Sequence, residues 1–237
     1  MTSIPWIFTG VFFASVFFIF YTYVIFPVLL GILVRYKRSR EQKLQMNIKF
    51  PRISIIISVY NEEKVLRKKI ESILESSYPK ENLEIIIGSD ASVDRTTAIA
   101  RSLVSEYSFI KYFDYPNRRG KPSVINDLVS HASHEIILLT DANVIFDKQL
   151  IAILSIHFRD AKIGLVGANI VNAGMRKDGI SIQEKSYIER ENQIKYREGL
   201  LWGCMMGPFG GCYAIRKNLF EEVPANFLVD DFYHLIS

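Results

Sequence analysis

The first 34 residues contain an unbroken apolar run that constrains the fold more than any other feature of the chain. From Pro5 to Val34 there is no Asp, Glu, Lys, Arg or His, although the whole chain carries 29 Lys and Arg and 25 Asp and Glu. About 20 apolar residues cross a bilayer core as a helix, so this run is long enough to span a membrane with tilt. We expect Pro27 to kink or end the helix locally. The sequence therefore predicts a transmembrane anchor over residues 1–34.

Two other interpretations of the run are a secretory signal peptide and a helix buried inside a soluble protein. A signal peptide has a basic start and a shorter apolar stretch, whereas residues 1–5 carry no charged side chain. A buried soluble helix would place about thirty uncharged residues at a chain terminus. Both interpretations fit the run less well than a membrane anchor does.

A basic segment follows the apolar run directly. Residues 35–52 carry seven Lys or Arg and one Glu, a net charge of +6. By the positive-inside rule this flank stays in the cytoplasm, which predicts an external amino terminus and a cytoplasmic body. Because the whole chain has a net charge of +4, residues 53–237 carry −2, which argues against nucleic acid as a partner. A cytoplasmic body also predicts that Cys204 and Cys212, which form no CxxC pair, are free thiols.

Three short apolar runs in the body predict strands that are buried on both faces. These runs are Ile53–Val59, Leu83–Gly88 and Glu135–Thr140. Helical patterns lie beside them, and we expect helices from a cap at Asn61 to about Tyr78, from Ser92 or Asp94 to about Ser105, and from Pro122 to about Ser130. Alternating strands and helices predict an α/β fold with a doubly wound, mostly parallel sheet, whose ligand sites lie beyond the carboxyl ends of its strands.

Polar residues follow each predicted strand at the point where it ends. Asp141 and Asn143 offer two side-chain oxygens in one turn, which can bind Mg²⁺ or Mn²⁺ and leave coordination positions for water and phosphates. Asp90 is an acceptor-only group that can take hydrogen bonds from a nucleobase. The alternatives are that Asp141 and Asn143 form an ordinary turn and that Asp90 caps or turns the chain before the next helix.

Two further charged clusters have chemistry of their own. Lys121 lies in a basic turn at a predicted helix start, where free N–H groups and the ammonium favour a diphosphate. Asp230 and Asp231 are adjacent carboxylates, which repel each other unless one of them has a use such as general base catalysis. The alternatives are a solvated basic loop and an acidic helix start.

Taken in order, six segments resemble the family 2 glycosyltransferases, which share the GT-A fold, and in particular the cellulose synthase-like, polysaccharide-synthesising branch. The segments are ISIIISVYNEE (53–63), IIIGSDASVDRT (85–96), NRRGKPSVIN (117–126), LLTDAN (138–143), GPFGGCYAIRK (207–217) and VDD (229–231). The resemblance covers about residues 50–237. It implies a catalytic domain over 53–237, which follows the anchor over 1–34 and the basic linker over 35–52 that the apolar run and the charge pattern predict.

The resemblance implies a role for each matching residue. The residues that would contact the donor are Tyr60, Asn61, Glu62, Asp90, Lys121 and Asp141. Asp141 and Asn143 match the D-x-D motif that binds the divalent cation, and an amide in place of the second carboxylate predicts weaker metal affinity. Gly210, Gly211 and Asp230 match the acceptor side, and Asp230 replaces the usual Glu. Asp231 matches the proposed base.

The resemblance also implies the reaction and the partners. A sugar would move, with inversion, from a nucleoside-diphosphate sugar to a hydroxyl of a lipid-linked sugar or polysaccharide at the cytoplasmic face of the membrane. A uracil, thymine or guanine base would offer Asp90 a ring N–H. The helical stretch Ser181–Glu198 is interpreted as structural.

Two alternative functions remain open at this stage. Many membrane-associated members of the family carry a Q-x-x-R-W motif after the base, whereas this sequence ends six residues after Asp231. We therefore expect a chain truncated at its carboxyl end, and the first alternative is a membrane-tethered module that binds a nucleotide sugar without turnover. The second is a nucleotidyltransferase, but the glycine-rich loop of that class is missing at residues 60–63.

Overall fold

A computed structural model describes residues 4–37, 50–171, 180–205, 207–208, 210–224, 227 and 233. The chain divides into two compact units. One unit comprises Met1–Gln45 and Val171–Met206, and the other comprises Met46–Ile170 and Gly207–Ser237.

The second unit is built on a six-stranded sheet. Its strands are β1 (Ile53–Val59), β2 (Leu83–Asp90), β3 (Ile110–Tyr115), β4 (Ile136–Thr140), β5 (Leu165–Gly167) and β6 (Cys212–Arg216), in the order β3-β2-β1-β4-β6-β5. The first four strands run parallel, and β6 runs antiparallel to both of its neighbours. The predicted doubly wound, mostly parallel α/β sheet is thereby confirmed.

The centre of the sheet is buried on both faces, which explains why its strands are continuous apolar runs. Ile55 pairs with Ile85 and Leu138 in the strands on either side, and all three side chains belong to one core. The alternate residues Ile56 and Ile86 belong to a second core on the opposite face. Burial on both faces is the usual environment of a parallel sheet.

Among the described residues of this unit, four α-helices cover the sheet. They are α3 (Leu66–Leu74), α4 (Thr96–Glu106), α5 (Lys121–Ser130) and α6 (Leu150–His157). The helix α5 packs closely on β2, because a Cβ at Gly88 would lie 2.8 Å from Cγ1 of Val124. The prediction that Asn61 caps a helix is wrong. The chain turns at Asn61, which has a φ of 55°, and α3 begins only at Leu66.

The first unit contains the apolar run and a long helix. The run forms α1 (Ile4–Phe20), a π-helical turn (Tyr21–Ile25) and α2 (Phe26–Lys37), and the long helix is α7 (Ile180–Trp202). Pro27 therefore does not end the helix, and the irregularity takes the form of the π turn that precedes it. Within this unit Nη1 of Arg197 on α7 donates a hydrogen bond to the Pro27 carbonyl at 2.9 Å. The segment Trp6–Arg35 is long and apolar enough to cross a membrane.

Candidate functional site

The carboxyl ends of β1, β2 and β4 meet at one edge of the sheet, which we call the carboxyl edge. Tyr60, Asn61 and Glu62 follow β1, Asp90 is the last residue of β2, and Asp141 follows β4. Parallel neighbours place these ends side by side, so residues that are up to 81 positions apart in the sequence converge. The convergence expected from the strand pattern is confirmed.

The loops after β1 and β2 are joined by hydrogen bonds. Oδ1 of Asn61 accepts the Val93 N–H at 2.9 Å, and the Asn61 N–H donates to Oγ of Ser92 at 3.1 Å. The Glu62 N–H donates to Oγ1 of Thr96 at 2.8 Å. The side-chain oxygen of Asn61 is therefore engaged in holding the two loops together.

Asp94 makes the same connection from the other side. Its Oδ2 accepts the Glu63 N–H at 3.1 Å, and its Oδ1 accepts the Thr96 N–H at 2.9 Å at the start of α4. These hydrogen bonds to the charged form lower the pKa of Asp94 against the opposing effect of burial, which is the largest single influence. The expected helix start near Asp94 is thus confirmed, with its carboxylate capping the first turn.

Asp90 holds the basic turn that precedes α5. Its side chain is only 4% exposed, and its two oxygens accept the Arg119 N–H at 2.6 Å and the Gly120 N–H at 3.0 Å. Nε of Arg118 lies 3.3 Å from Oδ2 of the same carboxylate. Asp90 therefore fixes the turn before α5, whereas the simpler interpretation placed its role before the next helix along the chain, α4. A carboxylate oxygen has two lone pairs, so it retains capacity for a nucleobase donor.

Arg118 also forms a flat surface with Tyr60. The guanidinium carbon of Arg118 lies 3.5 Å from the centroid of the Tyr60 ring, and this ring is 41% exposed. A cation stacked on an aromatic face is attracted by its quadrupole and presents a planar surface. Sequence reasoning did not single out Arg118, although it lies in the basic turn that drew attention to Lys121.

Lys121 and Asp141 form the ion pair at the centre of the carboxyl edge. Nζ of Lys121 lies 2.9 Å from Oδ1 of Asp141, with both side chains about 40% exposed. The two residues line one small pocket together with Thr140 and Gly210. The ammonium and the carboxylate are therefore both accessible to a ligand.

The Gly210-Gly211 segment lies against the turn after β4. The Asp141 N–H donates to the Gly211 carbonyl at 3.0 Å, and Oγ1 of Thr140 lies 3.1 Å from the same oxygen. A Cβ at Gly211 would lie 2.9 Å from Cδ1 of Ile170, so only glycine fits without a shift of its neighbours. Two of the predicted acceptor-side residues are thus in the immediate surroundings of Asp141.

Glu62 is a partly buried acid whose pKa is raised by its surroundings. Partial burial raises its pKa, and the negative charges of Asp141 and Asp94 raise it further. The coupling shows that Glu62 and Asp141 share one electrostatic environment.

Lys69 is a residue of this region that sequence reasoning missed. Its side chain is fully buried beneath the turn that contains Asp141, and Nζ donates to Oγ1 of Thr140 at 2.8 Å. Burial lowers the pKa of Lys69 to about 7, although Cys212 and Asp141 oppose this shift. A signal was present in the sequence, because Lys69 occupies the apolar stripe that Leu66, Ile70 and Ile73 form on α3.

The residues of the turn fit a divalent cation bound together with a substrate diphosphate. Asp141 supplies a carboxylate and the exposed Asn143 an amide oxygen, and Mg²⁺ or Mn²⁺ requires only one or two protein ligands when phosphates and water complete its shell. Within the part of the chain that the structure describes, no group of three or more His, Cys, Asp or Glu is positioned to hold a metal.

The remaining predicted residues can be placed briefly. Asp230 and Asp231 lie outside the described residues, so the acceptor-side carboxylate and the base stay predictions. Cys204 and Cys212 are both free, the first exposed and the second buried.

Comparison with known protein families and sequences shows that the chain is similar to glycosyltransferases. A family model described as glycosyl transferase family 2 matches residues 54–223. The chain is 33% identical over 129 residues to a probable glycosyltransferase, YdaM, of Bacillus subtilis, which covers 52% of this chain and 31% of that protein. It is 30% identical over 118 residues to a poly-β-1,6-N-acetyl-D-glucosamine synthase of Staphylococcus epidermidis, covering 49% of this chain and 28% of the synthase. The matches thus span about a third of each relative.

Comparison with solved structures supports the fold. The mannosyltransferase PcManGT of Pyrobaculum calidifontis, solved with GDP-Man and Mn²⁺, superposes with a TM-score of 0.72 at 21% identity. The superposition covers 90% of this chain and 59% of that one.

Proposed function

Because the chain belongs to glycosyl transferase family 2, we propose that it moves a sugar, with inversion, from a nucleoside-diphosphate sugar to an acceptor hydroxyl. The observation that carries the proposal is the accessible Lys121–Asp141 pair at the edge of a parallel sheet where α/β proteins bind ligands. The acceptor is a lipid-linked sugar or a growing polysaccharide. The relative named as a poly-β-1,6-N-acetyl-D-glucosamine synthase supports this class of acceptor.

The nucleoside of the donor would lie between the loops after β1 and β2. Tyr60 contributes a ring face that Arg118 already covers on one side, and Asp90 contributes an acceptor for a base N–H. Asn61 and Glu62 belong to the wall of this pocket, and Asn61 fixes the wall to the loop after β2. Because the wall of the pocket is held in place before the donor binds, less entropy is lost in ordering its loops on binding.

The diphosphate of the donor would bind beside Lys121. An ion pair this exposed contributes only about 0–1 kcal/mol, so Lys121 can exchange Asp141 for a diphosphate at small cost. The start of α5 adds the positive end of a helix dipole. Asp141 is released by the same exchange and, with Asn143, would hold Mg²⁺ or Mn²⁺. A divalent cation bound there supplies charge that offsets the negative charge on the leaving diphosphate.

The acceptor would approach past Gly210, Gly211 and Asp230. In the transfer, the carboxylate of Asp231 takes the proton of the acceptor hydroxyl. The acceptor oxygen forms a bond to the anomeric carbon as the bond from that carbon to the diphosphate breaks. Lys121 faces the leaving diphosphate and lowers the cost of its charge. The contact between the Asp141 N–H and the Gly211 carbonyl supports this arrangement, since it ties the acceptor segment to the donor side.

The proposal includes attachment to a membrane. Residues 1–34 anchor the chain, residues 35–52 form a basic linker on the cytoplasmic side, and residues 53–237 form the catalytic domain. The apolar helix Trp6–Arg35 and the net charge of +6 that follows support this orientation. A reporter fused to the amino terminus should accordingly be detected outside the cytoplasm.

A thermal-shift screen tests the proposed function. The full chain in detergent is heated with Mn²⁺ and UDP, dTDP or GDP, all three at the same concentration, about 100 times the Kd of the nucleotide that binds most tightly. One nucleotide should raise Tm by about 5–10 °C, and the increase should disappear in EDTA. The matching nucleotide sugar should then release its diphosphate in the presence of an acceptor. No shift with any of the three would contradict the proposal, and a shift without sugar transfer would indicate a binding module.

A further inference from the structure

Lys69 is buried in a place where a lysine is costly. Its relative exposure is 0%, and a lysine is almost never fully buried unless a partner compensates its charge. Its Nζ donates hydrogen bonds to Oγ1 of Thr140 at 2.8 Å and to the Val144 carbonyl at 2.5 Å. Its Nζ also lies 3.5 Å from the centroid of the Phe146 ring. All three partners belong to one segment, residues 140–146.

The two hydrogen bonds bracket the proposed metal-binding turn. Thr140 directly precedes Asp141, and Val144 directly follows Asn143. One ammonium group therefore joins both ends of the turn from beneath. Within the turn itself, the contacts are long: the Val144 N–H lies 3.3 Å and Oγ1 of Thr140 3.4 Å from the Asp141 carbonyl.

The same face of α3 holds the segment at a second point. Ser72, three residues after Lys69, accepts the Phe146 N–H through Oγ at 3.1 Å. Residues three apart lie on one face of a helix, so α3 contacts residues 140–146 at two points, through Lys69 and through Ser72 one turn later. Without Lys69, the hydrogen bond from the Phe146 N–H to Ser72 would remain, while the turn at Asp141 and Asn143 would lose its hydrogen bonds to α3.

We infer that Lys69 is a positioning residue that fixes the Asp141–Asn143 turn and thereby sets how tightly the chain binds a divalent cation with a nucleoside diphosphate. The inference rests on the proposed function for its ligand, but the fixing of the turn is a property of the chain itself. When a hydrogen bond that orients a metal-binding side chain is removed, the affinity of the site for its metal falls by about 10–100-fold.

The first experiment measures the turn without any ligand. Lys69→Met keeps a long apolar side chain in the buried space and removes both hydrogen bonds. Hydrogen exchange of peptides covering residues 140–146 should become at least about tenfold faster, because the turn opens locally. Exchange in β1 should stay as in the parent. An unchanged rate in residues 140–146 would overturn the inference, whatever the chain binds.

The second experiment measures affinity by calorimetric titration of the full chain with UDP and GDP in Mn²⁺. Lys69→Met should raise Kd about tenfold for the nucleotide that the parent binds. Lys69→Gln, which keeps a donor but no charge, should recover part of the loss. If Lys69→Met binds as tightly as the parent, the inference is wrong. If the parent binds neither UDP nor GDP, the parent and the variants are titrated with dTDP. If the parent binds none of the three, the proposed function fails, and the exchange experiment alone decides the role of Lys69.

Lys80 provides a matched control for both experiments. Its Nζ donates to the Ile73 and Ser76 carbonyls at 3.2 and 2.9 Å, so it is also a lysine that binds main-chain oxygens near the end of α3. Within the described part of the chain, its hydrogen bonds go to Ile73 and Ser76 and not to residues 140–146. Lys80→Met should leave both the exchange of that segment and the nucleotide affinity unchanged. Equal losses in the two variants would indicate a general effect on stability and contradict a specific role for Lys69.

Discussion

Glu84 at the amino edge of the sheet, where β1 and β2 begin, differs from Glu62 and Asp141 at the carboxyl edge in how fully its charge is compensated. At the amino edge, Glu84 at the start of β2 accepts hydrogen bonds from Oγ of Ser54 at 2.6 Å, the Ser133 N–H at 2.9 Å and Nζ of Lys111 at 2.5 Å. These bonds outweigh burial and lower the pKa of Glu84 to about 2. At the carboxyl edge, charge and burial raise the pKa of Glu62, and Asp141 has one half-exposed lysine beside it.

The backbone shows the same contrast. Asn61 and Ala91 are the non-glycine residues with positive φ in the described part of the chain, at 55° and 60°, and both lie at the carboxyl edge. Such conformations cost of order 1 kcal/mol or more each and concentrate at functional sites. The comparison teaches that the charge of Glu84 is used to hold the amino edge together, while Lys121 and Asp141 at the carboxyl edge keep their charges accessible to a ligand.

The largest expected effect concerns the proposed base. Asp231→Asn removes the group that accepts the hydroxyl proton and should lower the rate of sugar transfer by about 10³-fold. Nucleotide affinity should stay within about threefold, since the donor pocket is untouched. Transfer is measured with a labelled nucleotide sugar, and binding by calorimetry. A variant as active as the parent would exclude Asp231 as the base.

The next largest effect concerns the turn after β4. Asp141→Ala removes a proposed metal ligand and should weaken nucleotide binding in Mn²⁺ by about 100-fold, towards the weak binding that the parent shows in EDTA. Asp114→Ala is the matched control. Asp114 lies in β3 of the same sheet, its side chain is as exposed as that of Asp141, and it also forms an ion pair, with Arg101 on α4 at 3.3 Å. Calorimetry of both variants is decisive. Equal losses would remove the distinction between the two carboxylates.

A smaller effect is expected at the amino edge. Glu84→Gln places an amide where four donors converge and should lower the free energy of unfolding by about 2 kcal/mol. Nucleotide affinity should not change, because Glu84 lies at the opposite edge from Asp141. Urea unfolding and calorimetry measure the two quantities. A loss of affinity at unchanged stability would reverse the roles that the comparison gives to the two edges.

The smallest effect is the pH dependence of the same substitution. Folding lowers the pKa of Glu84 from 4.5 to about 2, so its contribution is fully present above pH 4.5 and is lost as the pH falls through 2. The difference in unfolding free energy between the parent and Glu84→Gln should therefore be constant near neutral pH and shrink below pH 4.5. Urea titrations at several pH values check this. A difference that grows on acidification would contradict the assignment.

The strands of the sheet could be predicted to different degrees for physical reasons. β1, β2 and β4 are buried on both faces and therefore appear as continuous apolar runs. β3 lies at the end of the sheet and mixes buried, half-buried and exposed residues, so it has no such run. β5 has only three residues, which is too short for a pattern.

The site could be predicted in its parts but not in its connections. Asp90 and Asp141 were predicted because polar residues at strand ends converge in a parallel sheet, and Lys121 because it lies in a basic turn at a helix start. The turn at Asn61 was missed because it is held by hydrogen bonds to residues about thirty positions later, such as Val93. Lys69 was missed because its partners in residues 140–146 are distant in sequence, although its place on the apolar face of α3 was visible.

Hydrogen exchange with and without Mn²⁺ and the bound nucleotide tests the central claim most directly, because it compares the two edges in one molecule. We predict slower exchange at the carboxyl edge and no change at the amino edge. The peptides to compare are residues 60–63, 89–96, 118–122 and 140–144 at the carboxyl edge and residues 82–85 and 131–135 at the amino edge. Protection confined to the amino edge, or absent from the carboxyl edge when the nucleotide is bound, would contradict the claim that the carboxyl edge is the donor site.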